Sequence, residues 1–89
     1  MKIKKGYVVR EIAGQSFVIA LGSESKSLNG MIKLNELARL IWDQLADGKG
    51  KKEIIEKILA EYRVERERAE ADYDKLISTL QEVGVFEPD

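Results

Sequence analysis

Apolar and polar residues alternate with a period of two from Tyr7 to Gly22, and Gly14-Gln15 divides this stretch into two runs. The pattern predicts strands over about 7–13 and 16–22, joined as a hairpin. Glycine at the first central position suits a two-residue type II′ turn, because that position needs a positive φ. The register would then set Ala13 opposite Ser16, Ile12 opposite Phe17, Arg10 opposite Ile19 and Val8 opposite Leu21. One face carries Val8, Ile12, Phe17, Ile19 and Leu21, broken only by Arg10. The other carries Val9, Glu11, Ala13, Ser16, Val18 and Ala20, which are smaller and more mixed. The first face is the expected core face. A polar loop, Gly22 to Asn29, leads to a third short strand at about 30–34.

Beyond Asn35 the period changes to that of a helix. Asn35 is a suitable N-cap, since its side-chain oxygen can accept a free backbone N–H. A first helix over 36–46 stripes Leu37, Ile41, Trp42 and Leu45, and Gly48 supplies its stop. A second, over 51–62, stripes Ile54, Ile55, Ile58, Leu59 and Tyr62. A third, over 65–83, stripes Ala69, Tyr73, Leu76, Leu80 and Val83 and ends at Gly84, after which Val85-Phe86 can return as a stub. Three antiparallel strands followed by three helices make an α+β domain. With the hairpin as the wing beside a helix-turn-helix pair, a winged helix-turn-helix is the expected architecture.

Length confines this to a single domain spanning 1–89, because 89 residues cannot build a second independent core. The 44% apolar and 35% charged mixture is globular rather than disordered. There is no cysteine and no histidine. Disulfides, thiolate metal sites and thiol nucleophiles are therefore excluded, and the commonest general base is missing. The apolar stretch after the basic N-terminus is broken at Arg10 and Glu11, too early for a signal peptide or a membrane span. A cytoplasmic protein without membrane attachment is expected. The net charge of −1 divides unevenly: +4 over residues 1–33, −1 over 34–62 and −4 over 63–89. An acidic third helix argues against nucleic-acid binding, which needs clustered Lys and Arg on the docking element.

Three features bear on function. The third strand, Gly30-Met31-Ile32-Lys33-Leu34, would form a sheet edge with only Lys33 to blunt it. Such a short edge is either tolerated or used as a rail for an added peptide strand. It could also pair two copies of the chain. On the third helix, Glu70, Asp74, Ile77 and Gln81 recur on one flank of the core stripe. Ile77 either widens the core stripe or lines a groove whose walls would be Lys33 on one side and Glu70 and Asp74 on the other. The remaining carboxylates interleave with Arg66, Arg68 and Lys75, as on a solvated helix face. Asp72 and Asp74 point about 200° apart and so are no acid–base pair. No catalytic constellation, metal-ligand set or cofactor motif is present, and Gly48-Lys49-Gly50-Lys51-Lys52 lacks the spacing of a phosphate loop. That basic turn is the one candidate for a phosphate contact. The alternative of a winged-helix DNA-binding regulator rests on topology alone.

The succession Leu28-Asn29-Gly30-Met31-Ile32-Lys33-Leu34-Asn35, Ile41-Trp42, Ile54-Ile55 and Tyr62-Arg63-Val64 resembles the PqqD-like family. So does the ending with Ala69, Asp72-Tyr73, Leu76-Ile77, Leu80 and Gly84-Val85. The resemblance runs from about residue 4 to residue 87. It implies a non-catalytic winged-helix module, needing no cofactor, that recognises the leader segment of a ribosomally made precursor peptide. The peptide would be presented to a modifying enzyme, such as a radical S-adenosylmethionine maturase or a cyclase and leader peptidase. It also implies that the leader adds as a strand to the third strand and packs on the third helix. Carried over, the peptide-binding residues are Gly30, Met31, Ile32, Lys33 and Leu34 with Glu70, Tyr73, Asp74, Ile77 and Gln81. Leu34-Asn35, Trp42, Asp72 and Gly84 match the family pattern in structural roles. The chain departs from the pattern before its second and third helices, where Gly50 and Val64-Glu65-Arg66 replace the usual Ser, Thr or Asp.

Overall fold

A computed structural model describes residues 2–22 and 30–88. Strands β1 (Tyr7–Ile12), β2 (Gln15–Ala20) and β3 (Ile32–Leu34) precede helices α1 (Glu36–Ala46), α2 (Lys51–Glu61) and α3 (Arg66–Val83). The sheet is antiparallel in the order β1-β2-β3. This is the expected α+β arrangement, with β3 beginning at Ile32, α2 ending before Tyr62 and α3 beginning at Arg66. The polar loop expected over Gly22 to Asn29 falls mostly outside the described residues.

The hairpin departs from expectation in two ways. Its turn is Ala13-Gly14, with φ of 52° and 77°, not Gly14-Gln15. Two successive positive φ values match a type I′ turn, whose twist suits the right-handed twist of the strands better than holding Ala13 extended. The pairs become Ile12↔Gln15, Arg10↔Phe17 and Val8↔Ile19, displaced by two residues from the predicted register. A slip of two preserves which residues share a face. The core face, however, is the opposite one. Tyr7 and Val18 are buried, and Val9 and Ala20 pack against the core, whereas Ile12 and Leu21 are 48% and 44% exposed. The physical reason lies in the middle of the sheet. Arg10 and Lys33 flank Phe17 in one row and make no ion pair among the described residues, and burying those two cations would cost far more than exposing a few aliphatic side chains. On the opposite face the charged Glu11 sits at the hairpin tip, where water reaches it.

All three helices close over that face. Val18, Ile41, Ile54, Ile55, Ile58, Leu80 and Val85 are the most enclosed side chains of one core cluster, which Trp42, Leu45 and Tyr73 complete. Asn35 caps α1 as its sequence predicted, its Oδ1 accepting the Ala38 N–H at 2.8 Å. Gly50 and Glu65, by contrast, begin α2 and α3 with no side-chain cap. Gly84 ends α3 in the left-handed region (φ 88°), donating to the Leu80 and Gln81 carbonyls. The chain then returns along its own beginning. Phe86 bridges Ile3, the Lys4 N–H donates to the Val85 carbonyl at 2.9 Å, and the Glu87 N–H donates to the Lys2 carbonyl at 2.7 Å.

Candidate functional site

β3 follows a glycine with φ 108° and is three residues long. Its inner edge pairs with β2, and among the described residues no strand pairs with its outer edge. Alternation along the strand turns Ile32 and Leu34 toward the helices and Lys33 to the other face, in the row of Phe17 and Arg10. Met31, just before the strand, is 54% exposed.

Beside this free edge runs an open groove of about 350 Å³. Ile32, Lys33 and Asn35 form one wall, Leu37, Ala38 and Ile41 of α1 form the floor, and Arg68, Asp72, Lys75, Leu76 and Thr79 of α3 form the other wall. The floor is aliphatic because α1 turns part of its apolar stripe toward the space between β3 and α3. The α3 wall is polar at its lip. Arg68 donates from Nε to an Asp72 oxygen at 3.0 Å, one helical turn on. The Thr79 hydroxyl bonds back to the Lys75 carbonyl at 3.1 Å and is thereby turned along its own helix. The junction of strand and helix is held by Arg39, which donates to Ser16 Oγ at 2.9 Å and to Asp43 at 3.0 Å. This ties α1 to β2 and keeps the floor in place under β3.

The predicted site residues separate into two groups. Ile32 and Lys33 line the groove, with Gly30, Met31 and Leu34 contiguous with them along the rail. The α3 residues Glu70, Tyr73, Asp74, Ile77 and Gln81 do not line it. Tyr73 and Ile77 are buried in the core, and Gln81 is exposed beyond them. Asp74 accepts from Lys51 Nζ at 3.0 Å, and the same ammonium lies 5.6 Å from the centre of the Tyr73 ring. That flank therefore docks the beginning of α2 on α3. The hydrogen bond to Asp74 raises the Lys51 pKa above its ordinary value, with further support from the Asp74 and Glu70 charges. Burial of its ring raises the Tyr73 phenol pKa. Within the basic turn, Lys51 is thus held by Asp74 and Lys49 lies 3.9 Å from Glu53.

Sequence reasoning missed Arg68, Lys75, Leu76 and Thr79 together with the α1 floor. Their spacing held a signal, for 68, 72, 75 and 79 recur on one helix face as regularly as 70, 74, 77 and 81 do. The two faces lie about 160° apart, on either side of the core stripe.

Comparison with known families finds a match to the model described as coenzyme PQQ synthesis protein D (PqqD), over residues 17–85. The chain belongs to the PqqD family. Solved structures agree across nearly its whole length. One, TbiB1 in complex with the TbiA(beta) leader peptide, is 27% identical with a TM-score of 0.78, covering 100% of this chain and 98% of that one. Another, lasso peptide synthetase B1 complexed with the leader peptide, is 27% identical with a TM-score of 0.77, covering 97% and 95%. No curated protein matches the chain. Among the described residues no helix is long and apolar enough to cross a membrane, and no cluster of acidic side chains is placed to hold a metal ion.

Proposed function

We propose that this PqqD-family chain is a non-catalytic module that binds the leader segment of a ribosomally made precursor peptide and presents it to a modifying enzyme in the cytoplasm. The observation that carries this reading is the outer edge of β3, with which no strand pairs among the described residues, lying directly beside an open, aliphatic-floored groove. An extended peptide added to that edge gains main-chain hydrogen bonds of low sequence demand, while alternate side chains enter the groove and select among peptides. Ordering a flexible leader offsets part of that gain, so moderate affinity suits a carrier that must also hand its cargo on. The two related structures, both complexes with leader peptides, support the same reading. The rail runs from Gly30 to Leu34, and the helix wall is that of Arg68, Asp72, Lys75, Leu76 and Thr79. In this reading Glu70, Tyr73, Asp74, Ile77 and Gln81 support the site from behind.

A DNA-binding role finds no comparable support. α3 carries two paired arginines, Arg66 with Glu56 and Arg68 with Asp72, among a larger number of carboxylates.

The test is an NMR titration of labelled protein with the short peptides encoded beside its gene. Saturable shifts are expected at Met31–Leu34 and at Arg68, Leu76 and Thr79. Shifts confined to Lys51, Glu70 and Asp74 would place the peptide elsewhere, and silence from every peptide would remove the leader-binding reading. Sedimentation at high concentration separates peptide addition from pairing of two copies along the same edge.

A further inference from the structure

Once Arg68 is paired with Asp72, two cations at the groove remain without a carboxylate. Among the described residues Lys75 makes no ion pair, and neither does Lys33 on the strand wall. The two differ in the side from which they address the β3 edge. Lys75 stands on the α3 wall of the groove. Lys33 leaves the sheet on the opposite face, in a row that runs Arg10, Phe17, Lys33 and carries two cations and no carboxylate. A strand added to β3 would place one residue as the fourth member of that row, directly beside Lys33. Its neighbours on either side would point into the groove, toward the floor of Leu37, Ala38 and Ile41 and toward Leu76 and Lys75 on the α3 wall.

Resting on the leader-binding reading, we infer that Lys33 and Lys75 select a peptide with two acidic side chains on opposite faces of the added strand, flanking an apolar anchor. Strand alternation fixes the spacing. The acid beside Lys33 and the acid beside Lys75 are separated by an odd number of positions. The apolar anchor lies an even number of positions from the second acid, because both enter the groove. A like-charged ligand is disfavoured on both faces. The outer row would gather Arg10, Lys33 and a further cation, which repel in an otherwise apolar setting.

The probe is a displayed library of random dodecapeptides, selected against the full-length wild-type chain and against Lys33→Glu and Lys75→Glu. Both substitutions fall at exposed positions, and circular dichroism verifies that each variant is folded. The wild type is expected to enrich acid–anchor–acid sequences with the odd and even spacings above. Lys33→Glu should turn one of the two acidic preferences basic and leave the other, and Lys75→Glu should do the reverse. For a selected peptide, either charge reversal should weaken binding about two- to thirtyfold, and replacing the matching acid by Lys should restore it. Acids enriched at even separation would overturn the strand-addition geometry. Peptides enriched without charge preference, or with a preference unmoved by both variants, would overturn the selectivity inference while leaving peptide binding intact. A wild-type chain that enriches no peptide would overturn the inference and the leader-binding reading together.

Discussion

Replacing Val18 by Ala tests which face of the hairpin supports the domain. Val18 is fully enclosed and lies between Val9 and Ile32 on the helix-facing side of the sheet. The change removes two carbon groups, worth about 1.6 kcal/mol at roughly 0.8 kcal/mol each. A residual void of up to about 50 Å³ adds as much as about 1.2 kcal/mol at 24 cal/mol per Å³. The expected loss is therefore about 1.5–3 kcal/mol, a large part of the roughly 4–13 kcal/mol that a chain of this length commands. It corresponds to a fall in Tm of about 10–20 °C. Ile12, at 48% exposure on the other face, loses more carbon on truncation but surrenders at most about 1 kcal/mol. The assay is urea unfolding followed by the fluorescence of Trp42, the single tryptophan, which is 4% exposed when folded and meets water on unfolding. Both variants should keep the wild-type m-value, so that the midpoints report stability alone. A loss for Ile12→Ala equal to or greater than that for Val18→Ala would refute the orientation of the sheet.

Other consequences follow from the caps and from the α2–α3 contact. Gly84→Ala meets no atom within 4 Å, so its cost is that of holding a side-chain-bearing residue at φ 88°, about 1–2 kcal/mol in the same unfolding assay. Asn35→Ala should lose about 1 kcal/mol with the Ala38 cap bond, whereas Asn35→Asp should retain it. Because Asp74 raises the Lys51 pKa, the pair's contribution to stability is complete below the ordinary value of 10.5 and is lost as pH climbs through the higher folded value. The stability difference between wild type and Asp74→Asn should thus hold steady from neutral pH to about pH 9 and close in strong alkali. NMR titration of the Lys51 ε-methylene protons should place the wild-type midpoint above that of the variant.

The helices were the most legible part of the fold, and for a local reason. A helix shows its buried stripe, its cap and its stop within a dozen residues. Ile54, Ile55 and Ile58, the Asn35 cap and the Gly84 terminus accordingly lie where the residue pattern puts them. The hairpin was legible in part. Alternation sorted its residues correctly onto two faces but could not say which face the helices cover. Side-chain size favoured Val8, Ile12, Phe17, Ile19 and Leu21. The charges of Arg10 and Lys33 decided otherwise, and Lys33 joins Arg10 on that face only once β3 is paired with β2.

The candidate site divides along the same line. The chain's own residues determined a short, lightly protected strand, an amphipathic third helix and a vocabulary without histidine or cysteine that suits binding better than chemistry. They also presented two equally regular flanks on that helix, 70-74-77-81 and 68-72-75-79, with nothing local to choose between them. Tertiary packing made the choice. Lys51, distant in sequence, arrives at Asp74 and Tyr73 and closes one flank against α2, while β3 and the α1 floor leave the other flank open as a groove. Periodicity tells which residues of a helix travel together. The way neighbouring elements pack around it decides which of its faces is left for a ligand.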